Sequence, residues 1–177
     1  MHAASGLSGV QDIQTVDLSG KRLETPIQGV VVRPAAVQID ERGLLTEIWR
    51  QDWVSADAER DTPQCYLFTL RPGIRKGWVM HKIQSDRQFL VSGTVRIALF
   101  DARRSSPTFR KRQDIFLSIE ARKLVIIPPY VLHAVENIGQ GDAVLVNAPT
   151  HLYNYVEPDK FRWEDSIDSP PDVAFDV

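Results

Sequence analysis

The chain has almost no cysteine and no long apolar run, and each absence excludes a class of protein. Its 177 residues contain one cysteine, Cys65, so a disulfide within the chain is impossible. Cys65 lies in the apolar run Cys-Tyr-Leu-Phe, which predicts a buried, unreactive thiol. A membrane-spanning helix needs about 18 or more apolar residues, and no stretch approaches that length. The first residues also lack the basic and apolar segments of a signal peptide, so we expect a cytoplasmic protein without a membrane partner.

Neither sign of charge dominates. Lysine and arginine total 21, aspartate and glutamate total 23, and the formal net charge is −2. This balance gives no electrostatic reason to expect a nucleic-acid partner. The hydrophobic fraction of 43% is that of an ordinary globular protein, and the length is typical of one domain. We predict a flexible N-terminal arm over residues 1–25 and a single domain with an extended C-terminal tail over residues 26–177.

Short β-branched and aromatic runs fill the chain from residue 27 onward, and turn residues separate most of them. This spacing is typical of an all-β sandwich or barrel and not of alternating strands and helices. Residues 51–63 predict a loop or a helical turn, and residues 158–177 predict a tail laid over the barrel. The predicted strands are 30–33, 35–39, 44–49, 64–70, 77–83, 87–92, 94–100, 115–119, 123–127, 132–136 and 143–148.

Two segments place histidines on predicted strands. Residues 73–101 predict two neighbouring strands of one sheet, the first of which carries polar groups into a cavity. Side chains two residues apart share a face of a strand, so Val79 and His81 are expected to point the same way, about 7 Å apart. His133 shares its face with Asn137 on a later strand. For each histidine alone, a buried and hydrogen-bonded ring is the alternative interpretation.

The two histidine segments together resemble the two cupin motifs. They read Val79-x-His81-(x)4-Asp86-(x)6-Gly93 and His133-(x)3-Asn137. The cupin motifs supply a histidine, a second histidine, a glutamate and a third histidine around the mouth of a small jelly-roll barrel. In this chain Val79 takes the place of the first histidine, and Asp86 takes that of the glutamate.

A second set of segments extends over most of the chain, from Ile27 to about Phe175. They are Asp40-Glu-Arg-Gly-Leu-Leu-Thr-Glu47, Gly77-Trp-x-x-His-Lys82, Asp101-Ala-Arg-Arg-Ser-Ser-Pro-Thr-Phe109, Ile127-Pro-Pro-x-x-x-His133, Val146-Asn-Ala-Pro-Thr150, Tyr153-Asn-Tyr-x-x-Pro-Asp159 and Arg162-Trp-Glu-Asp165. Together these segments resemble the dTDP-4-dehydrorhamnose 3,5-epimerase family, and most closely its shorter branch. The resemblance implies a cupin-type jelly roll, a homodimer with exchanged edge strands, a dTDP-sugar as ligand and no cofactor.

The resemblance also implies a reaction and a set of site residues. In the family, a histidine base removes a proton beside the ketone of a 4-keto sugar, and a tyrosine returns a proton to the other face. The position of that base is Val79, which can neither take nor give a proton, so His81 or a water molecule is left as the base. Asn147 stands at the position of the tyrosine. Candidate catalytic residues are His81, His133, Asp165 and Tyr153; candidate substrate-binding residues are Arg42, Glu47, Gln64, Lys76, Val79 and Asn147.

Three functions are compatible with these residues. The first is an epimerase or isomerase of nucleotide-linked 4-keto-6-deoxy sugars in deoxysugar or surface-polysaccharide biosynthesis, with a non-standard active site. The second is a metal-dependent cupin that uses His81, Asp86 and His133, with Gln84 or Gln88 as a further ligand. The third is a protein that binds a nucleotide sugar without catalysis. Val79 is the residue that favours the third function, and the metal-free chemistry of the family argues against the second.

Overall fold

The computed structural model describes residues 12–20, 23, 26–54 and 61–177. Most of the predicted N-terminal arm lies outside these residues. The described part contains two short 3-10 helices, Gln51–Trp53 and Ile119–Ala121, and neither has the length or apolar character to cross a membrane. Its strands are β1 (Val31–Pro34), β2 (Val37–Asp40), β3 (Gly43–Thr46), β4 (Tyr66–Leu70), β5 (Arg75–Met80), β6 (Asp86–Ser92), β7 (Thr94–Asp101), β8 (Arg112–Ser118), β9 (Lys123–Ile127), β10 (Val131–Asn137), β11 (Ala143–Asn147) and β12 (Phe161–Arg162).

The strands form two five-stranded sheets and a separate hairpin. Sheet I has the order β1-β9-β6-β11-β4, sheet II has the order β12-β5-β10-β7-β8, and β2 pairs with β3. The paired strands are antiparallel, and most neighbours in a sheet are distant in sequence, as in a jelly roll. The predicted all-β fold with short helical turns is confirmed, and β9 has the bounds expected from the sequence.

The main hydrophobic core lies between the two sheets. Val95, Ile97 and Leu99 alternate along β7 and are fully buried, as the pattern of the sequence predicts. Leu90 of β6 and Leu145 of β11 join them from sheet I. Each such side chain contributes about 1.5–3 kcal/mol on burial, so this layer holds the sheets together.

The C-terminal tail covers the outer face of sheet II. Leu132 alternates with core residues along β10, and it belongs to a second apolar cluster on the other face of the sheet. Trp78 of β5 is fully buried in this cluster, and its Nε1 donates to the carbonyl of Ser166 at 2.9 Å. Ile167 and Phe175 pack there as well. The tail therefore fixes β5, the strand that forms part of the cavity described below.

The prediction for residues 73–101 was wrong in its strand arrangement. This segment forms three strands, and β6 belongs to sheet I while β5 and β7 belong to sheet II. β10 lies between β5 and β7 and pairs with both of them. The reason is the crossover of the jelly roll, which sends consecutive strands to opposite sheets and cannot be read from local alternation.

The prediction of a buried cysteine was also wrong, because Cys65 is exposed. It directly precedes β4, which is the edge strand of sheet I. Tyr66 and Leu67 at the start of that strand are exposed as well. An apolar run at the edge of a sheet is only partly covered, and this is why composition alone misplaced the thiol.

The Arg-Arg-Ser-Ser-Pro-Thr segment has a structural role. It folds around the carboxylate of Asp101, which has 0% exposure at the end of β7. Arg103 donates to this carboxylate at 2.8 and 2.9 Å, and the hydroxyls of Ser106 and Thr108 each donate at 2.6 Å. Burial opposes ionisation, but these donors outweigh it and lower the pKa of Asp101 to about 2.

We predict that Asp101→Asn lowers the free energy of unfolding at pH 7 by about 2 kcal/mol. The pKa of about 2 lies below the ordinary value of 3.8, so the folded state is stabilised when the carboxyl is ionised. This contribution is complete above about pH 5 and is lost as the pH falls through 3.8 towards 2. Urea unfolding between pH 7 and pH 2 measures it.

The matched control is Asp172→Asn, which removes an exposed ion pair with Arg110. Such a pair contributes about 0–1 kcal/mol, so we expect little change in stability. An Asp101→Asn variant with unchanged stability and an unchanged slope against pH would contradict the assignment.

Candidate functional site

A cavity of about 240 Å³ opens between the two sheets. β4 and β6 line it from sheet I, and β5 and β10 line it from sheet II. The tail around β12 adds a third side. The lining residues are Tyr66, Phe68, Lys76, Gly77, Val79, Asp86, Gln88, His133, Val135, Lys160 and Arg162.

Val79 and His133 are direct partners across β5 and β10. Paired side chains on one face lie about 4.5–5.5 Å apart at their Cβ atoms, so the methyl groups of Val79 lie beside the imidazole. Gly77 allows β5 to come this close, because a Cβ at its position would lie 2.6 Å from the carbonyl oxygen of His133. Its φ of +101° is also a value that favours glycine. The cavity wall therefore presents one histidine with an apolar neighbour.

Asp86 lies between two imidazole rings, and all three residues are buried. Its Oδ2 is 3.3 Å from Nε2 of His133 and 3.6 Å from Nε2 of His81. Burial opposes ionisation of Asp86, but the two histidines hold the pKa of its carboxyl well below the ordinary range. Burial likewise opposes the charged form of His81, and the nearby carboxylate of Asp86 outweighs it and raises the pKa of the ring.

Asp159 in the tail holds the segment that carries His81. Its carboxylate accepts hydrogen bonds from the backbone N–H groups of Lys82, Ile83 and Gln84 at 2.8 to 3.0 Å. Its backbone carbonyl faces Nδ1 of His81. Burial opposes ionisation, but these N–H donors keep the pKa of Asp159 below its ordinary value. One tail residue thus fixes both the backbone and the ring of the histidine segment.

Tyr66 brings a phenol to the cavity from β4. Its hydroxyl accepts a hydrogen bond from Nδ2 of Asn147 at 2.8 Å, and Oδ1 of the same amide accepts the N–H of Arg87 at 2.9 Å. Burial raises the pKa of Tyr66, and the negative charge of Asp86 adds to the effect. The hydroxyl therefore stays protonated and oriented at neutral pH.

Three cationic side chains also line the cavity: Lys76 from β5, Lys160 from the tail and Arg162 from β12. Burial lowers the pKa of Lys160, and the charges of Arg162 and Lys76 act in the same direction. Asp86 is the one acidic residue that lines the cavity among the described residues, and it faces histidines. The cavity is therefore suited to an anionic ligand.

Several residues predicted from the sequence meet at this cavity. Val79, His133 and Lys76 line the cavity. Asn147 does not line it, but donates a hydrogen bond to the hydroxyl of Tyr66, which does. His81 is not among the lining residues, although its ring lies 5.6 Å from that of His133. β5 ends at Met80, and Nε2 of His81 lies 3.6 Å from Oδ2 of Asp86, which lines the cavity together with Val79.

The other predicted site residues do not line the cavity of this chain. Tyr153 contacts the ring of Tyr155, Asp165 is exposed on the tail, and Nε2 of Gln64 donates to the carbonyl of His151. Arg42 forms an ion pair with Asp40 on the β2–β3 hairpin, and Glu47 forms one with Arg50 at 3.1 Å. Asn137 is buried and donates to the carbonyls of Leu70 and Gly141.

Tyr66, Lys160 and Arg162 are the polar lining residues that sequence reasoning missed. Tyr66 alternates with Phe68 on β4, and that alternation is the signal that places both on one face. Lys160 and Arg162 have the same spacing in the tail, but no local pattern indicates that the tail returns to the cavity.

Two comparisons of sequence identify relatives. The profile of the family described as dTDP-4-dehydrorhamnose 3,5-epimerase matches residues 24–169. A protein of Haloferax volcanii described as probable low-salt glycan biosynthesis epimerase Agl13 is 31% identical over 137 residues. That match covers 77% of this chain and 86% of the relative.

Solved structures share the fold at lower identity. The dTDP sugar isomerase of Desulfovibrio desulfuricans G20 has a TM-score of 0.71 and 19% identity, over 82% of this chain and 94% of that one. The 3′-monoepimerase ChmJ of Streptomyces bikiniensis, in complex with dTDP-quinovose, has a TM-score of 0.71 and 21% identity, over 84% and 79%. The predicted cupin-type jelly roll is thereby confirmed.

We predict that Asp159→Ala releases the segment from Lys82 to Gln84. Charge-assisted hydrogen bonds contribute about 1.5–3 kcal/mol each, and the variant loses three of them. Hydrogen exchange followed by mass spectrometry or NMR is expected to show faster exchange at these three amides. Asp172→Ala is the control in the same tail, and equal protection in both variants would contradict the role of Asp159.

Proposed function

The chain belongs to the dTDP-4-dehydrorhamnose 3,5-epimerase family, and we propose that it binds a nucleotide-linked 4-keto-6-deoxy sugar in the cavity beside Val79. We further propose that it acts on this sugar as an epimerase or isomerase. A dTDP-sugar is the ligand class that the relatives favour, since ChmJ is described in complex with dTDP-quinovose. We propose that this reaction belongs to deoxysugar or glycan biosynthesis, because the Haloferax volcanii relative is described as a glycan biosynthesis epimerase.

The pair of cationic side chains Lys76 and Arg162 on the cavity wall is the observation that carries the ligand class. A diphosphate is a compact anion, and lysine and arginine side chains are its usual partners in proteins. The cavity of about 240 Å³ is smaller than the roughly 300–1,000 Å³ of sites for drug-sized ligands. We therefore place the sugar inside the cavity, with Lys76 and Arg162 on the diphosphate and the nucleoside outside.

Lys160 and Tyr66 are the two groups to which we assign the proton exchange. The C4 ketone acidifies the C–H bonds on both neighbouring carbons, so a base on the wall can remove one of these protons. Burial and neighbouring cations lower the pKa of Lys160, which increases the fraction of its side chain in the neutral amine form that can accept a proton. The protonated hydroxyl of Tyr66, held by Asn147, returns a proton to the resulting enolate.

We predict that the protein incorporates solvent deuterium into dTDP-4-keto-6-deoxyglucose beside the ketone. Tyr66→Phe and Lys160→Met are each expected to slow incorporation by roughly 10²–10⁴-fold, the usual contribution of a general acid or base. NMR or mass spectrometry of the recovered sugar measures the exchange. Tyr155→Phe and Lys111→Met, outside the cavity, are the matched controls and are expected to exchange like the natural protein.

A protein that binds the nucleotide sugar without catalysis is the second candidate, and Val79 favours it. Val79 lines the cavity as the direct partner of His133 and offers no proton acceptor. Calorimetric binding of the dTDP-sugar without any deuterium incorporation would select this function. Exchange that begins only in Val79→His would point to the same conclusion.

We also propose a homodimer in which the β2–β3 hairpin contacts a second copy. β2 and β3 pair with each other, and apolar side chains of the hairpin remain exposed. Leu45, for example, is 62% exposed. The hairpin carries Arg42, whose side chain is 81% exposed and does not line the cavity of its own chain. Glu47 directly follows the end of β3. Contact with a second copy would cover the apolar residues and bring both predicted ligand-binding side chains to the partner cavity.

We predict that Leu45→Asp converts the dimer to a monomer, because a carboxylate cannot be buried in an apolar contact without a partner. Light scattering after size-exclusion chromatography measures the mass. Leu152→Asp is the control, since Leu152 is 67% exposed outside the hairpin. A natural protein that is monomeric at micromolar concentration would contradict the proposed dimer.

A further inference from the structure

We propose that His81, His133 and Asp86 bind one divalent transition-metal ion, with the amide oxygen of Gln88 as an additional ligand. Two imidazoles and a carboxylate are a ligand set that suits Zn²⁺, Co²⁺, Ni²⁺ or Fe²⁺. The inference does not rest on the proposed sugar substrate, because metal binding is measured without any sugar.

The spacing of the three residues fits a metal ion better than a direct hydrogen bond. Oδ2 of Asp86 lies 3.3 Å from Nε2 of His133 and 3.6 Å from Nε2 of His81, and the ligand atoms of the three residues all lie within 4.8 Å of one another. A charge-assisted N–H···O bond is about 2.7–2.9 Å long. Ligand bonds of about 2.1 Å place neighbouring ligand atoms about 3.0–3.6 Å apart, depending on the geometry.

Both rings have their other nitrogen directed at a backbone carbonyl. Nδ1 of His81 faces the carbonyl of Asp159, and Nδ1 of His133 faces that of Val131 at 3.2 Å. A carbonyl only accepts, so each Nδ1 carries a proton. Nε2 of each ring is then the nitrogen directed towards the Asp86 carboxylate, and an ion between them would be bound by both rings and the carboxylate. Metal-binding histidines commonly show this backbone contact.

The amides on either side of Asp86 complete the site. Nε2 of Gln84 donates to Oδ1 of Asp86 at 2.9 Å, which orients the carboxylate and leaves Oδ2 towards the histidines. Gln88 is 4% exposed, and its Oε1 has no hydrogen-bond partner in the part of the chain that the structure describes. Its Nε2 lies 3.4 Å from Oδ2 of Asp86, so rotating the amide by half a turn brings Oε1 to the metal position.

Val79 leaves a coordination position of this ion open. Val79 is the direct partner of His133 and lines the same cavity, so a histidine there would supply a further ligand. With valine, the cavity side of the ion is left to water or to an oxygen of a bound molecule. Such an open position is typical of catalytic metal sites, where the ion polarises a carbonyl oxygen.

Titration of the full chain, stripped with a chelator, with Co²⁺ and Zn²⁺ tests the proposal. We expect one equivalent to bind, with a visible Co²⁺ absorption spectrum and displacement by Zn²⁺ in calorimetry. Asp86→Asn is expected to weaken Zn²⁺ binding at least 100-fold, and Gln88→Leu about 10-fold. His151→Ala, a histidine outside the cavity, is the control and is expected to bind like the natural protein.

Val79→His keeps the test decisive if the other variants do not fold. A third imidazole beside His133 is expected to tighten Zn²⁺ binding at least 10-fold, and misfolding cannot produce that gain. Circular dichroism confirms that each variant is folded. Absence of stoichiometric binding to the natural chain, or equal affinity in folded Asp86→Asn, would overturn the proposal.

Discussion

The buried carboxylate of Asp86 is the group around which the cavity is arranged. It begins β6 in sheet I, whereas His133 belongs to β10 in sheet II and His81 follows the end of β5. A buried carboxylate is strongly unfavourable without compensating partners, so the elements that carry those partners must meet. Asp159 of the tail then fixes the His81 segment through three backbone N–H groups. Four parts of the chain that are distant in sequence are thus tied to one charge.

The same geometry separates two sets of residues with different tasks. Lys76 and Arg162 give one side of the cavity a positive charge, which suits a diphosphate. His81, His133 and Asp86 form a deeper polar group that Val79 leaves accessible from the cavity. Membership of the epimerase family favours a nucleotide-linked sugar as the ligand. Val79 offers no proton acceptor, and for this reason we assign the proton exchange to other side chains of the cavity.

The sequence predicted the fold and the deeper polar group well, and the rest of the cavity poorly. The bounds of β9 and the buried alternation of β7 follow from local pattern. The spacing of the two cupin-like motifs also predicts that His81, Asp86 and His133 lie close together. Local pattern does not specify which strands become neighbours, so it missed that β10 lies between β5 and β7. Lys160 and Arg162 reach the cavity only because the tail folds back onto β5, a long-range contact with no signal in the tail itself.

The most direct test is a crystal structure of the chain grown with Co²⁺ and a dTDP-sugar, with data collected at the cobalt absorption edge. We expect one anomalous peak about 2.1 Å from Nε2 of His81, Nε2 of His133 and Oδ2 of Asp86, with the sugar in the adjoining cavity and its diphosphate on Lys76 and Arg162. A map without that peak, with both imidazoles in direct contact with Asp86 and no nucleotide at Lys76 and Arg162, would contradict both proposals for this cavity.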